Sequence, residues 1–269
     1  MTVRGSGSSG SLAREFAVAE AAALAAGVVV RRHLAGTLAV GEKLGGEIVT
    51  SADLEADALI RDAIREAFPH DGLYSEETAD DGGRLALRRV WIVDPIDATS
   101  DYARGGCEHA VSIGLAVDGT AVLGVVYNPA TEELVRGALD VGVTLNGARA
   151  ATTDTSSVGP ARITASRKEW ARGLDRVAPH IAVTPVASMA YKLARVAAGL
   201  DDGTISEKAR GEWGSCAGVA LVHAAGGIVT HLDGQRPRFN RLPDDRPAGL
   251  IAAGAALHQR LLTAFIAAR

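Results

Sequence analysis

The side chains best equipped for chemistry in this sequence are acids, gathered in three clusters with one acid set apart. The richest cluster is Asp94-Pro95-Ile96-Asp97-Ala98-Thr99-Ser100, directly after an apolar, β-forming run from Val90 to Val93. A strand buried on both faces delivers Asp94 at its carboxyl end, where open α/β folds place their sites. Pro95 fixes one φ and stiffens the turn. Asp94 and Asp97 then converge with the Ile96 carbonyl between them. Hard oxygen donors at this spacing suit Mg²⁺, which takes octahedral oxygen ligands at about 2.0–2.1 Å and keeps some waters. Asp97 is expected in the first turn of the helix that follows. The N–H groups of Ala98, Thr99 and Ser100 would face an anion there, and phosphate is the natural one. An isolated D-x-x-D reads better as a strand-end acid and an N-cap. The strand, the proline and the Thr-Ser pair together favour the metal.

The other acids are less specific. Glu76 and Glu77 close a short strand around Leu73 and Tyr74, and alone would be a solvated turn. Asp53 alone would be a helix first-turn acid matching the dipole. Glu207 to Glu212 precedes Trp213.

Helices and strands must carry these residues into one place. Residues 12 to 33 are Ala-rich and predict a long helix, followed by a polar loop from Gly36 to about Glu47. A second helix starts near Ser51; Ala56, Ile60, Ala63, Ile64 and Ala67 recur at helical spacing and Pro69 stops it. Val111 to Val117 and Ala121 to Tyr127 flank Asp118-Gly119-Thr120 as a hairpin, and Asn146-Gly147 marks another turn. Beyond it, strand-like segments (Arg162 to Ala165, Ile181 to Val183, Ile228 to His231) alternate with helix-like ones (Met189 to Ala198, Ser215 to Ala225, Ala256 to Ala267). The pattern predicts mixed α and β layers in two lobes: a Gly/Ser-rich flexible tail over 1–11, an N-terminal α+β lobe with the metal site over 12–150, and a C-terminal α/β lobe completing the substrate site over 151–269. The G-x-G-x-x-G from Gly5 to Gly10 follows no strand and fails as a dinucleotide fingerprint.

Composition narrows the class. The chain has 269 residues, 47% hydrophobic and 22% charged, with 28 Lys+Arg against 32 Asp+Glu and a net charge of −4. This is an ordinary globular balance and argues against a nucleic-acid polymer or an anionic membrane as partner. The longest apolar run, Ala21 to Val30, is too short for a span of about 20 residues, and its flanking charges do not suit a signal peptide. Two distant cysteines, Cys107 and Cys216, suit a reduced cytoplasm. The seven histidines show no zinc spacing, and neither a G-x-S-x-G elbow nor a Walker loop occurs.

Four segments in order carry a resemblance: Ile48-Val49-Thr50-Ser51-Ala52-Asp53, Ser75-Glu76-Glu77-Thr78, Trp91-Ile92-Val93-Asp94-Pro95-Ile96-Asp97-Ala98-Thr99, and Glu212-Trp213-Gly214-Ser215-Cys216-Ala217-Gly218 running to Ala225-Gly226-Gly227. The chain resembles the inositol monophosphatase superfamily of Mg²⁺-dependent phosphatases, with a weak lean from Ser188-Met189-Ala190-Tyr191-Lys192 toward the bisphosphate-nucleotidase branch. The resemblance implies an αβαβα five-layered sandwich of the inositol monophosphatase and fructose-1,6-bisphosphatase type, an enzyme acting on a small phosphorylated substrate, and a homodimer. It implies that Glu76, Asp94 and the Ile96 carbonyl hold one Mg²⁺, and Asp94 with Asp97 a second. Thr99 and Asp53 would orient the attacking water, and the amides of Ala98 and Thr99 would hold phosphate. Lys43 matches a basic residue of the metal-side loop. Glu207 lies near a substrate-hydroxyl position, and Lys192 faces either substrate or solvent. Two metals about 3.5–4 Å apart would neutralise the phosphoryl group and generate the nucleophile.

Two positions depart from the family pattern. Trp213-Gly214 stands where the family has Trp-Asp, so a carboxylate of the second metal is missing. Ala98 stands where the family has Gly; alanine keeps the N–H and suits a helix first turn, but glycine permits closer backbone approach. Several readings remain open: a phosphatase with a weakened or replaced second metal site, a degenerate member that binds a phosphorylated ligand without efficient hydrolysis, other chemistry on such a ligand, or an introduced Asp→Gly change that traps substrate.

Overall fold

The computed structural model describes residues 12–36, 38–43, 48–171, 183–207, 211–242 and 249–267. The tail over 1–11, parts of the Gly36–Glu47 loop, Ile181 and the middle of the Glu207–Glu212 cluster lie outside them.

Two helices form the first layer. α1 (Ala13–Ala35) buries Ala19, Ala22, Ala23, Ala26 and Val30, the i, i+3, i+4 stripe that its Ala-rich composition provides. After the short hairpin β1 (Val40–Glu42) and β2 (Ile48–Thr50), α2 (Ser51–Ala67) opens with a reciprocal capping box between Thr50 and Asp53. Both helices cover one face of a seven-stranded sheet, burying Ile60 and Ile64 against Trp91, Val93, Ile113 and Leu123.

That sheet runs in the order β3 (Gly72–Ser75), β4 (Arg89–Asp97), β5 (Ala110–Val117), β6 (Thr120–Asn128), β7 (Glu133–Ala138), β8 (Gly142–Leu145) and β9 (Ala148–Ala150). Only β3 and β4 are parallel; the rest is an antiparallel meander. The β5–β6 and β8–β9 turns place Asp118-Gly119 and Asn146-Gly147 at positive φ, as two-residue hairpins require.

The chain then passes through α3 (Thr99–Tyr102), which lies between β4 and β5, and later through β10 (Ile163–Ala165), the helical turn α4 (Arg167–Glu169), β11 (Val183–Pro185), α5 (Met189–Ala197), β12 (Gly203–Ser206), α6 (Cys216–Ala224), β13 (Gly227–Thr230), β14 (Leu250–Gly254) and α7 (Ala255–Ala267). A five-stranded mixed sheet has the order β11-β10-β12-β14-β13. α5 and α6 sit between the sheets, and α7 covers the outer face of the second. The layers are therefore α, β, α, β, α. Close packing of α6 on the first sheet requires glycine: a Cβ at Gly124 would meet the Ala217 carbonyl oxygen at 2.2 Å.

Two sequence expectations change here. β4 does not end at Asp94 but continues to Asp97. Asp97 and Ala98 are not in a helix first turn: Asp97 is the last residue of β4, and Ala98 is the N-cap of the four-residue α3.

Candidate active site

The end of β4 is built around a bulge. Asp94 pairs with Ser112 and Asp97 with Ala110, so three steps on β4 match two on β5. Side chains alternate faces along a regular strand, and residues three apart would point in opposite directions. The extra residue corrects the phase, and the two carboxylates come to one side. Pro95, which has no ladder donor, sits in this irregular stretch.

Each acid is tied to the scaffold. Asp94 Oδ1 accepts from Ile96 N at 3.1 Å. Asp97 Oδ2 accepts from Ser188 Oγ at 2.7 Å and Ala190 N at 2.6 Å, at the start of α5. The other oxygens converge near Gly214. A Cβ built there would lie 3.7 Å from Asp97 Oδ1 and 3.8 Å from Asp94 Oδ2, with no shorter contact.

Asp53 is fully buried. Its Oδ2 closes the capping box with Thr50 N, while Oδ1 accepts from Thr99 Oγ1 at 3.1 Å. Thr99 Oγ1 also lies 3.0 Å from the Ile96 carbonyl oxygen. Burial pushes the Asp53 carboxyl up, against hydrogen bonds from Thr50 and Thr99. Burial also raises Glu76, and the Lys43 ammonium opposes it. Lys43 Nζ bonds Glu76 Oε1 at 3.1 Å and Glu77 Oε1 at 2.7 Å, and burial pushes Glu77 up to about 7. Asp94 is held well above the ordinary carboxylate range, first by burial and then by the charges of Glu76 and Asp97.

These carboxylates and the Ile96 carbonyl are all hard oxygen donors crowded by like charge, the chemistry of a divalent-cation site. Among the described residues, no group of three or more His, Cys, Asp or Glu side chains is already gathered as a metal cage. Mg²⁺ characteristically takes one or two carboxylates with waters and substrate phosphate, and Asp94 and Asp97 fit that mode.

A cleft of about 570 Å³ joins these groups; its described wall includes Glu76, Asp94, Asp97, Ala98, Thr99 and Gly214. Lys192 and Glu207 are not on it. Lys192 is buried in α5, neither on a helix surface nor facing the cleft, and its charge acts on Glu169. Glu207 follows β12 and donates its N–H to Glu169 Oε1 at 2.8 Å. Glu212 does not supply the carboxylate absent at Gly214, because it accepts from Asn240 N and Arg241 N. Ala98 has φ 77°, a left-handed backbone that favours glycine, so this departure is less mild than the sequence suggests.

Sequence reading missed two supports. Asp57, one turn beyond Asp53, accepts from Ser75 Oγ, from Thr78 Oγ1 at 3.0 Å and from Arg61 Nη1 at 2.9 Å. It thereby holds both ends of the turn carrying Glu76 and Glu77. The i, i+4 spacing of Asp53 and Asp57 was the available signal. The second is Ser188, which caps α5 and also holds Asp97.

A five-layered α/β sandwich with an acid-lined cleft at the end of one sheet is the architecture of a class of phosphoric monoester hydrolases, and the comparisons agree. The profile described as the inositol monophosphatase family matches residues 12–269. An inositol-1-monophosphatase of Synechocystis sp. is 31% identical over 93% of this chain and 88% of its own. Human inositol monophosphatase 2 is 31% identical over 81% of each chain. The solved extragenic suppressor protein suhB from Bartonella henselae superposes with a TM-score of 0.83 at 28% identity, covering 93% of this chain and 98% of that one. The chain belongs to the inositol monophosphatase family.

Proposed function

We propose that the protein is a Mg²⁺-dependent phosphatase that hydrolyses a small phosphate monoester, of the sugar, cyclitol or nucleotide phosphate class. The observation that carries this reading is the convergence of Asp94 Oδ2 and Asp97 Oδ1 on one point of the cleft whose wall also includes Thr99, itself bonded to buried Asp53. Asp94, Asp97, Glu76 and the Ile96 carbonyl would hold Mg²⁺. When bound, the metal neutralises phosphoryl charge and lowers the pKa of its water.

Thr99 and Asp53 orient the attacking water. Asp53 accepts from the Thr99 hydroxyl and so sets its direction, the geometry by which a carboxylate behind a hydroxyl acts as a base relay. The amides of Ala98 and Thr99 hold the phosphate at the opening of α3. Lys43 Nζ bonds Glu76 Oε1 and so offsets part of the negative charge gathered at the cleft. We also assign the working enzyme as a cytoplasmic homodimer. Cys107 and Cys216, both free thiols, support the compartment; the exposed apolar side chains Val28, Val40 and Leu54 support an association surface.

The test is phosphate release at several Mg²⁺ concentrations on a panel of sugar, inositol and nucleotide phosphates, beside the Gly214→Asp variant. Mg²⁺-dependent turnover by the natural chain supports the proposal. An inert chain with an active variant would instead support a degenerate member that binds phosphorylated ligands, the reading that Gly214 favours.

A further inference from the structure

The cleft is chemically two-sided. Beside Glu76, Asp94 and Asp97, its wall contains Arg104, Arg167 and Lys168. The proposed Mg²⁺ chemistry uses none of these cations. Arg104 lies just beyond α3 on the β4–β5 connection, and Arg167 and Lys168 form the first two residues of α4.

These two segments are fixed to one another. Glu108, on the same connection as Arg104, accepts from Arg167 Nη2 at 2.8 Å and from Ala187 N at 3.0 Å. The α4 turn is held from below by a reciprocal capping box of buried Ser166 and Glu169, and Glu169 further accepts from Ser206 Oγ and Glu207 N. Such a buried, fully bonded base presents Arg167 and Lys168 in a set place. Arg167 is neutralised by Glu108. Arg104 and Lys168 have no ion-pair partner among the described residues, and both are exposed where they line the cleft.

A neutral polyol would leave two cations of the cleft wall without a counterion. A phosphate group held at the acidic side through Mg²⁺ occupies only part of about 570 Å³, a volume within the usual range for whole small-molecule ligands. We propose that the preferred substrate is a phosphate monoester bearing a second anionic group, a phosphate or carboxylate, held by Arg104 and Lys168. This rests on the phosphatase reading above and specifies its substrate class. Both residues determine specificity by charge-assisted hydrogen bonds to the non-reacting anion.

Matched pairs test this. Glucose 1-phosphate is compared with glucose 1,6-bisphosphate, and glycerol 1-phosphate with 3-phosphoglycerate, at saturating Mg²⁺. The natural chain is expected to favour at least one doubly anionic member by about tenfold in kcat/KM, the worth of one good charge-assisted contact. The first pair reports a phosphate and the second a carboxylate. In the Arg104→Ala/Lys168→Ala double variant that ratio should collapse toward one through a higher KM. Rising ionic strength should erode it in the natural chain. Equal kcat/KM within both pairs, or a preference that survives in the double variant, overturns the proposal. If no member of either pair releases phosphate, the phosphatase reading fails separately. Thermal stabilisation then decides the present one: in at least one of the two pairs the doubly anionic member must raise Tm more than its partner, and only with Arg104 and Lys168 in place. Equal shifts within both pairs would overturn it.

Discussion

At Gly214 a side chain would point at two carboxylates, and the space for one exists. An Asp there adds a third oxygen donor beside Asp94 Oδ2 and Asp97 Oδ1. The Gly214→Asp variant should bind Mg²⁺ about tenfold more tightly or better, a typical scale for altered metal surroundings. Without metal the added charge joins an already crowded group, so the variant should melt below the natural chain in chelator and above it in excess Mg²⁺; scanning calorimetry in both conditions checks this crossing. Thr99 makes a different kind of contribution, because its hydroxyl joins Asp53 to the Ile96 carbonyl. Thr99→Val keeps the volume and loses the hydroxyl, and kcat should fall by about 10²-fold or more. Thr99→Ser should retain most of the rate, a contrast that separates the hydroxyl from packing. The backbone of Ala98 is strained. A left-handed alanine costs about 1 kcal/mol, so Ala98→Gly should raise Tm by about 2 °C, and a drop on melting would show that the methyl group contributes more by packing than its backbone costs.

At the scale of elements, α2 works as a two-pronged holder. Asp53 reaches Thr99 from its first turn, and Asp57, a turn later, grips Ser75 and Thr78 on either side of Glu76 and Glu77. Asp57 touches neither Glu76 nor the cleft wall, so its effect on chemistry must pass through the turn. Asp57→Asn should raise the Mg²⁺ concentration for half-maximal rate several-fold, on the order of 10-fold, with a smaller effect on KM for the ester at saturating Mg²⁺. Equal changes in both quantities would point to general loosening instead. Much of this was legible in the sequence: α2 by its period and Pro69, the β5–β6 hairpin by Asp118-Gly119, the acids by their order. The β4 bulge was not, because it is a relation between two strands and leaves no mark in one. β12 and β14 were also missed. GTIS and LIAAG are buried throughout and show no alternation to read.

The whole molecule joins what neither sheet holds alone. Asp94 and Asp97 come from the first sheet, the Ser188 and Ala190 that hold Asp97 from the start of α5, and Gly214 from the approach to α6. Sequence order names these residues, but only the layering brings segments about a hundred positions apart together, which is why Lys192 and Glu207 could not be placed beforehand. The layers are pinned where the chain leaves β9 for the second sheet. Asp202 is buried there and accepts from Thr153 Oγ1 at 2.7 Å, Thr155 Oγ1 at 2.9 Å and Arg162 N at 2.7 Å. Burial opposes its charge, yet the bonds from Arg162 and the two threonines hold its carboxyl well below the ordinary value of 3.8. A depressed acid contributes stability that is fully present above its unfolded pKa and lost as pH falls through the folded one. Asp202→Asn should therefore cost about 1–3 kcal/mol at neutral pH. The gap in Tm between the two proteins should be constant from pH 7 down to about 5, then narrow below the ordinary 3.8, where the unfolded chain takes up a proton that folded Asp202 still excludes. Parallel melting curves through that acid window would show that the seam is held by shape and neutral hydrogen bonds, with the carboxylate charge contributing nothing.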